Sequence, residues 1–175
     1  VSLRDLQQSL AEDEAIIEFV YFGVFRKSAD SAMYAAYVLR KNKQPEFVPL
    51  CEKMELQKLF DSAGSTATGM VNRFYRGTEI RNNSTATALG SQLYKLIWAP
   101  LEPYLKGVKK INYSPAGKLY SIAFHAIPVD STRLLMDKYT LQQFTSTRQV
   151  ALNKIETGGK KIGSIALFGD PAFSL

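Results

Sequence analysis

Two side chains in this sequence could between them break a peptide bond. They are Cys51, the only cysteine, and His125, the only histidine. An imidazole beside a thiol draws off its proton and leaves a thiolate, the nucleophile of a cysteine hydrolase. The two need not be close in sequence. Nothing polar flanks either residue, however, and no third side chain is suggested that would orient the ring. His125 falls inside an apolar run, residues 119–127 (LYSIAFHAI). A lone histidine in such a run more often packs and hydrogen-bonds than catalyses. Cys51 follows a proline-marked segment and reads as a small buried hydrophobe. Packing is the expected role of both, and no catalytic residue is assigned.

Other reactive readings are weaker. Ser114 or Ser121 with His125 would make a serine hydrolase, but no Gly-x-Ser-x-Gly elbow is present. Gly169, Asp170 and Pro171 follow an apolar run, where a doubly wound sheet binds ligands. They lack the glycines and lysine of a phosphate loop, so a plain turn is expected. Trp98 and the aromatic set Phe19, Tyr21, Phe22 and Phe25 are expected in the core. A structural zinc needs about four Cys or His ligands, and two are on offer. No clustered Asp-x-Asp pattern suggests a harder cation. No metal and no cofactor is expected. The sequons around Asn82 and Asn83 read as polar loop.

The chain can build a core: 46% of its 175 residues are hydrophobic and 22% charged. Its formal net charge is +6 and its pI about 9.4. The basic residues are scattered, at Arg26-Lys27, Arg40-Lys41 with Lys43, Lys109-Lys110 and Lys160-Lys161. Nucleic-acid binding would want them on one face with aromatics between, so a solvated basic surface is expected and a nucleic-acid partner is not. No run is long enough to span a bilayer and no signal pattern opens the chain, so no membrane partner is expected. A single cysteine permits no internal disulfide, which suits a reducing compartment, and a cytoplasmic location is expected. The chain opens on Val1 without a Met, which reads as an excised or processed piece.

These residues must be carried by alternating strands and helices. Ser2 with Asp5 predicts a capped helix, with Leu3, Leu6 and Leu10 on one face and residues 12–14 ending it. Residues 15–22 (AIIEFVYF) predict a central strand. Residues 23–31 predict a turn, and 32–40 (AMYAAYVLR) an antiparallel partner. Residues 45–50 (PEFVPL) predict an edge piece, since its prolines cannot donate to a ladder. Residues 52–62 read as a helix with Met54, Leu56, Leu59 and Phe60 inward, and 64–81 as a loop with a helical turn. Residues 85–99 give the clearest helix, striped by Leu89, Leu93, Leu96 and Ile97 and stopped by Pro100 and Pro103. A further turn over 101–105 would carry Tyr104 toward the core. Residues 111–114 predict a short buried strand, broken at Pro115, Ala116 and Gly117. The run 119–127 wants burial on more than one side. Leu134, Leu135 and residues 139–144 read as strand, and 146–153 as a helix opened by Ser146 or Thr147. Residues 156–161 (ETGGKK) read as a linker and 162–168 (IGSIALF) as a buried strand. Such a strand normally needs a covering helix and a further strand, so the natural polypeptide is expected to continue.

The order of these pieces resembles the beginning of a CHAT domain, the caspase-like module that follows tetratricopeptide repeats in many bacterial proteins. Residues 1–22 resemble its entry helix and its Glu-Ala-Ile-Ile-Glu-Phe strand. Residues 93–105 (LYKLIWAPLEPYL) resemble its Leu-Tyr…Pro-Leu helix. Residues 114–128 (SPAGKLYSIAFHAIP) resemble its Pro-x-Gly-x-Leu…Phe-x-Ala segment. Residues 135–150 with 168–173 resemble its Leu…Tyr…Ser and Gly-Asp-Pro pieces. The resemblance implies a relation to caspases and separase, which are cysteine peptidases. It also implies a catalytic His in a later His-Gly step and a Cys in a Ser-Ala-Cys step. Neither motif occurs here; His125 is followed by Ala126. No catalytic residue is therefore carried over.

The expected fold is α/β, a mixed sheet of about five or six strands flanked by helices, caspase-like, the pseudo-caspase half. Residues 1–155 would form that N-terminal half, 156–161 the linker, and 162–175 the first strand of a truncated catalytic half. The expected function is the noncatalytic N-terminal portion of a CHAT-family cysteine peptidase. This fragment alone is expected to be inactive and its full-length parent a peptidase working through an acyl-enzyme. The expected partners are the downstream catalytic half, upstream TPR repeats, and a protein or peptide substrate or activator. The alternative is a self-contained protein-interaction module without peptidase activity; an anion or nucleic-acid binder and a stand-alone enzyme rank behind it.

Overall fold

The structure, a computed structural model, describes residues 2–23, 32–63 and 84–156. Ser2 opens helix α1, Leu3–Gln8, through a reciprocal capping box with Asp5. The helix ends before the acidic triplet, and Glu14 already belongs to the first strand. Leu6 and Leu10 are buried while Leu3 is exposed.

Among the described residues five strands form one sheet: β1 (Glu14–Gly23), β2 (Ala32–Arg40), β3 (Glu46–Glu52), β4 (Lys110–Ser114) and β5 (Thr140–Gln143). Their order is β3-β2-β1-β4-β5. β1 is central, antiparallel to β2 and parallel to β4, and β4 is parallel to β5. The sheet is therefore mixed and the architecture α/β, consistent with a caspase-like fold. β3 lies at the edge of the described sheet, where Pro49 and the preceding Pro45 are tolerated, and the register shifts between Tyr34 and Ala35, opposite Cys51 and Pro49.

Period-2 alternation sends successive residues of each strand to opposite faces. Ala15, Ile17 and Phe19 of β1 join Tyr34, Ala36 and Val38 of β2 and Ile111 and Tyr113 of β4 in the larger core. Helices α2 (Lys53–Ala63) and α3 (Ser84–Leu93) close it. Leu56, Leu59 and Phe60 point inward from α2, whereas Met54 is exposed. On the opposite face Ile16 and Leu39 meet Leu6, Leu10, Val150 and Ala151, the last two from helix α5 (Arg148–Glu156).

Three expectations need correction. The clearest predicted helix does not stop at Pro100. After Leu93 it widens into a π turn, Tyr94–Trp98, with Ala99 N–H reaching Tyr94 O, and then tightens into a 3-10 helix, Ala99–Tyr104. Pro100 sits in the first turn, where its missing N–H costs nothing. The apolar run 119–127 is not buried on two sides. It winds through two 3-10 turns, Gly117–Ser121 and Phe124–Ala126, which bury Leu119, Ile122, Phe124 and Ile127 and expose Tyr120, Ala123 and His125. Leu135 belongs to a short helix, α4 (Leu135–Lys138), entered by Leu134 N–H donating to Asp137. Of the predicted turn 23–31, Gly23 ends β1 and the rest lies outside the described residues, as do the loop 64–81, most of the linker and the strand 162–168.

Candidate functional site

The two reactive residues stand far apart. Cys51 lies on β3, paired with Tyr34 of β2, and is 3% exposed. Burial pushes its thiol up to about 12, helped by the negative charge of Glu55. At neutral pH the thiol is protonated and shielded, the opposite of what a nucleophile needs. His125 lies beyond the other end of the sheet. Its Nε2 meets Leu141 O of β5 at 3.0 Å. A carbonyl only accepts, so Nε2 carries a hydrogen and donates it. The imidazole is exposed, a correction to its expected place in the core; what makes it structural is this bond and the Tyr113 ring, 6.5 Å away between centroids.

β3 and β5 are separated by three intervening strands. At about 4.8 Å per step, the thiol and the imidazole stand on the order of 20 Å apart. The fold does not bring them together.

The serines are engaged elsewhere. Ser114 Oγ is buried and donates to Thr145 O at 3.2 Å, and Ser121 Oγ donates to Lys118 O at 2.6 Å. Trp98 and Phe19 are core residues stacked about Phe124. Tyr21 and Phe22 are not: both are more than a third exposed, because β1 runs past the helices that cover its start. Phe22 instead meets Phe47 of β3, which also meets Tyr37 of β2. Of this exposed aromatic group, the sequence reading places Phe22 inside. Phe25, the Asn82 and Asn83 sequons, and Gly169, Asp170 and Pro171 lie outside the described residues. No metal-binding group of His, Cys, Asp or Glu occurs among the described residues. None of their helices is long and apolar enough to cross a membrane.

Two concavities are bounded by described residues. One, of about 500 Å³, runs between α2 and the α3–π segment and is lined by Glu55, Lys58, Leu59, Gln92 and Lys95. The other, of about 190 Å³, lies where the β2–β3 turn meets the 3-10 helix. Neither Cys51 nor His125 lines either one.

A polar cluster that sequence reasoning missed ties the π turn, the 3-10 helix and the end of α4 together. Glu102 accepts from the hydroxyls of Tyr94 and Tyr139, each at 3.1 Å, and pairs with Lys138. Burial and the Glu102 charge raise both phenols, Tyr94 to about 12. These are locked donors, not acids poised near neutrality. Only the i to i+8 spacing of Tyr94 and Glu102 was visible in the sequence, and it is no known signal.

The profile of the CHAT domain matches residues 87–175, just over half of the chain. The chain belongs to the CHAT domain family. No curated protein and no solved structure gives a match. The matched part of this CHAT chain holds the π turn, the Glu102 cluster, His125, β4 and β5, while β1, β2 and β3 precede it. The sheet nevertheless joins the two parts, because β4 pairs with β1 from Glu14↔Lys110 to Glu18↔Ser114.

Proposed function

We propose that this chain is a noncatalytic, sheet-building portion of a CHAT-family protein. It supports a downstream cysteine-peptidase half and offers surface to a substrate or activator. The observation that carries the reading is the separation of Cys51 and His125 to opposite ends of the sheet, with the thiol buried and protonated. A Cys–His hydrolase needs the two within hydrogen-bond reach. The family membership supports the peptidase class of the parent, and upstream TPR repeats and the downstream half are the proposed neighbours.

The test uses the full-length parent in a peptide-cleavage assay. Cys51→Ala and His125→Ala are each expected to leave cleavage within about twofold of wild type. Loss of cleavage in either, with the thermal transition unchanged, would overturn the proposal.

A second reading is favoured by one observation. The exposed aromatics Phe22, Tyr37 and Phe47 lie on the sheet beside its β3 edge, a type of surface that recruits partners. On that reading the chain is a self-contained protein-interaction module. It then stays folded and monodisperse when residues 162–175 are removed, whereas the peptidase-half reading expects it to lose solubility.

A further inference from the structure

The smaller concavity is lined by Arg40, Lys43, Lys106, Glu46, Tyr104 and Pro103 among others. Three of these are cations and one is an anion. No ion pair joins Glu46 to any of the three among the described residues. The backbone of the turn is fixed: Gln7 Nε2 donates to Arg40 O at 3.2 Å and to Lys43 O at 2.6 Å. Arg40 is fixed as well. Its Nη1 donates to Lys106 O at 2.9 Å and reaches Tyr104 O at 3.4 Å, at the end of the 3-10 helix. Its Nε is buried and has no hydrogen-bond partner.

A buried N–H without a partner, such as Nε of this half-buried guanidinium, is a costly feature to keep. A guanidinium offers its donors as a planar fork that matches two oxygens of one group. Here Nη1 is spent on two carbonyls and Nε has no partner, and Arg40 lines the cleft together with Lys43 and Lys106. We propose that this cleft is an oxyanion site, which takes a carboxylate or phosphate group on Arg40, with Lys43 and Lys106 neutralising its charge. The volume of about 190 Å³ suits one such group, not a nucleotide. The proposal is independent of the peptidase-half reading, since neither Cys51 nor His125 is involved.

The test is a titration of the ¹⁵N-labelled 175-residue chain at low salt with inorganic phosphate and, separately, with a short glutamate-rich peptide. Saturable shifts are expected in the amides of 40–46 and 104–106. The double variant Lys43→Gln/Lys106→Gln, which breaks no hydrogen bond that holds the turn, is expected to weaken binding about tenfold. Arg40→Lys, which keeps the charge but loses the fork, is expected to weaken it further. Tighter binding of the peptide assigns the oxyanion to a protein partner, and binding of phosphate alone assigns it to a small anion. No saturable shift with either probe would overturn the site. So would equal shifts in the double variant, or shifts spread evenly over the other lysines.

Discussion

At Gly117 the backbone takes φ +53°, a region that costs a side chain strain. A Cβ there would stand 2.9 Å from the Tyr34 hydroxyl, which itself accepts the Lys118 N–H at 3.1 Å. Gly117→Ala is therefore expected to destabilise by about 2 kcal/mol in urea unfolding, from strain and from displacement of Tyr34. Adding Tyr34→Phe removes the clashing oxygen, so the double variant should lose less than the sum of the two singles. Cys51 gives a second prediction. Its thiol ionises near 9 when free and near 12 when folded, so the native state holds the proton more tightly. Tyr94 acts in the same sense from 10 to about 12. These contributions are full below pH 9 and are lost as pH rises toward 12. Equilibrium unfolding from pH 8 to 11 should show stability falling above pH 9. In Cys51→Ala the fall should begin later, near pH 10.

Elements are tied to one another by carboxylates more than the sequence suggested. Glu18 of β1 accepts from both the backbone N–H and the hydroxyl of Thr147, at the start of α5. An acidic group at a helix N-terminus also meets the favourable end of the helix dipole. Thr147→Ala should cost about 1 kcal/mol, and a double-mutant cycle with Glu18→Gln should show positive coupling. Truncating Glu102 strands the buried Tyr139 phenol, the half-buried Tyr94 phenol and an ammonium at once, so Glu102→Ala should cost about 2 kcal/mol in thermal or urea unfolding. The strands β1 and β2 were legible because β-branched and aromatic residues run there with short connections. β3 was legible as an edge from its prolines. The 3-10 course of 117–126 was not legible. Leu119, Ile122, Phe124 and Ile127 recur at steps of three and two, which match neither a helix nor a strand. The π turn was hidden for a related reason: Leu93 and Ile97 keep helical spacing while the hydrogen bonds between them shift by one residue. The separation of Cys51 from His125 depended on strand order, which no local pattern encodes.

Among the described residues the strands form one sheet whose centre, β1, comes from the first part of the chain, while β4 and β5 come from the family-matched part. β1 supplies the parallel partner of β4 and buries Ile17 and Phe19 against Tyr113 and Phe124. Without β1, the matched part retains among its described residues a two-stranded parallel pair, with one flank of β4 unpaired. A pair of that kind is not stable alone in water, and parallel pairing is slightly weaker per residue than antiparallel. Residues 87–175 expressed by themselves are therefore expected to lack a cooperative thermal transition and to expose apolar surface to a dye such as ANS. Adding residues 1–63 as a separate polypeptide should restore part of the transition, because the missing pairing runs through Glu14–Glu18 and needs no covalent link. A cooperative transition for 87–175 alone would mean that the profile boundary is a folding boundary, and that β1 is an accessory to the sheet instead of its axis.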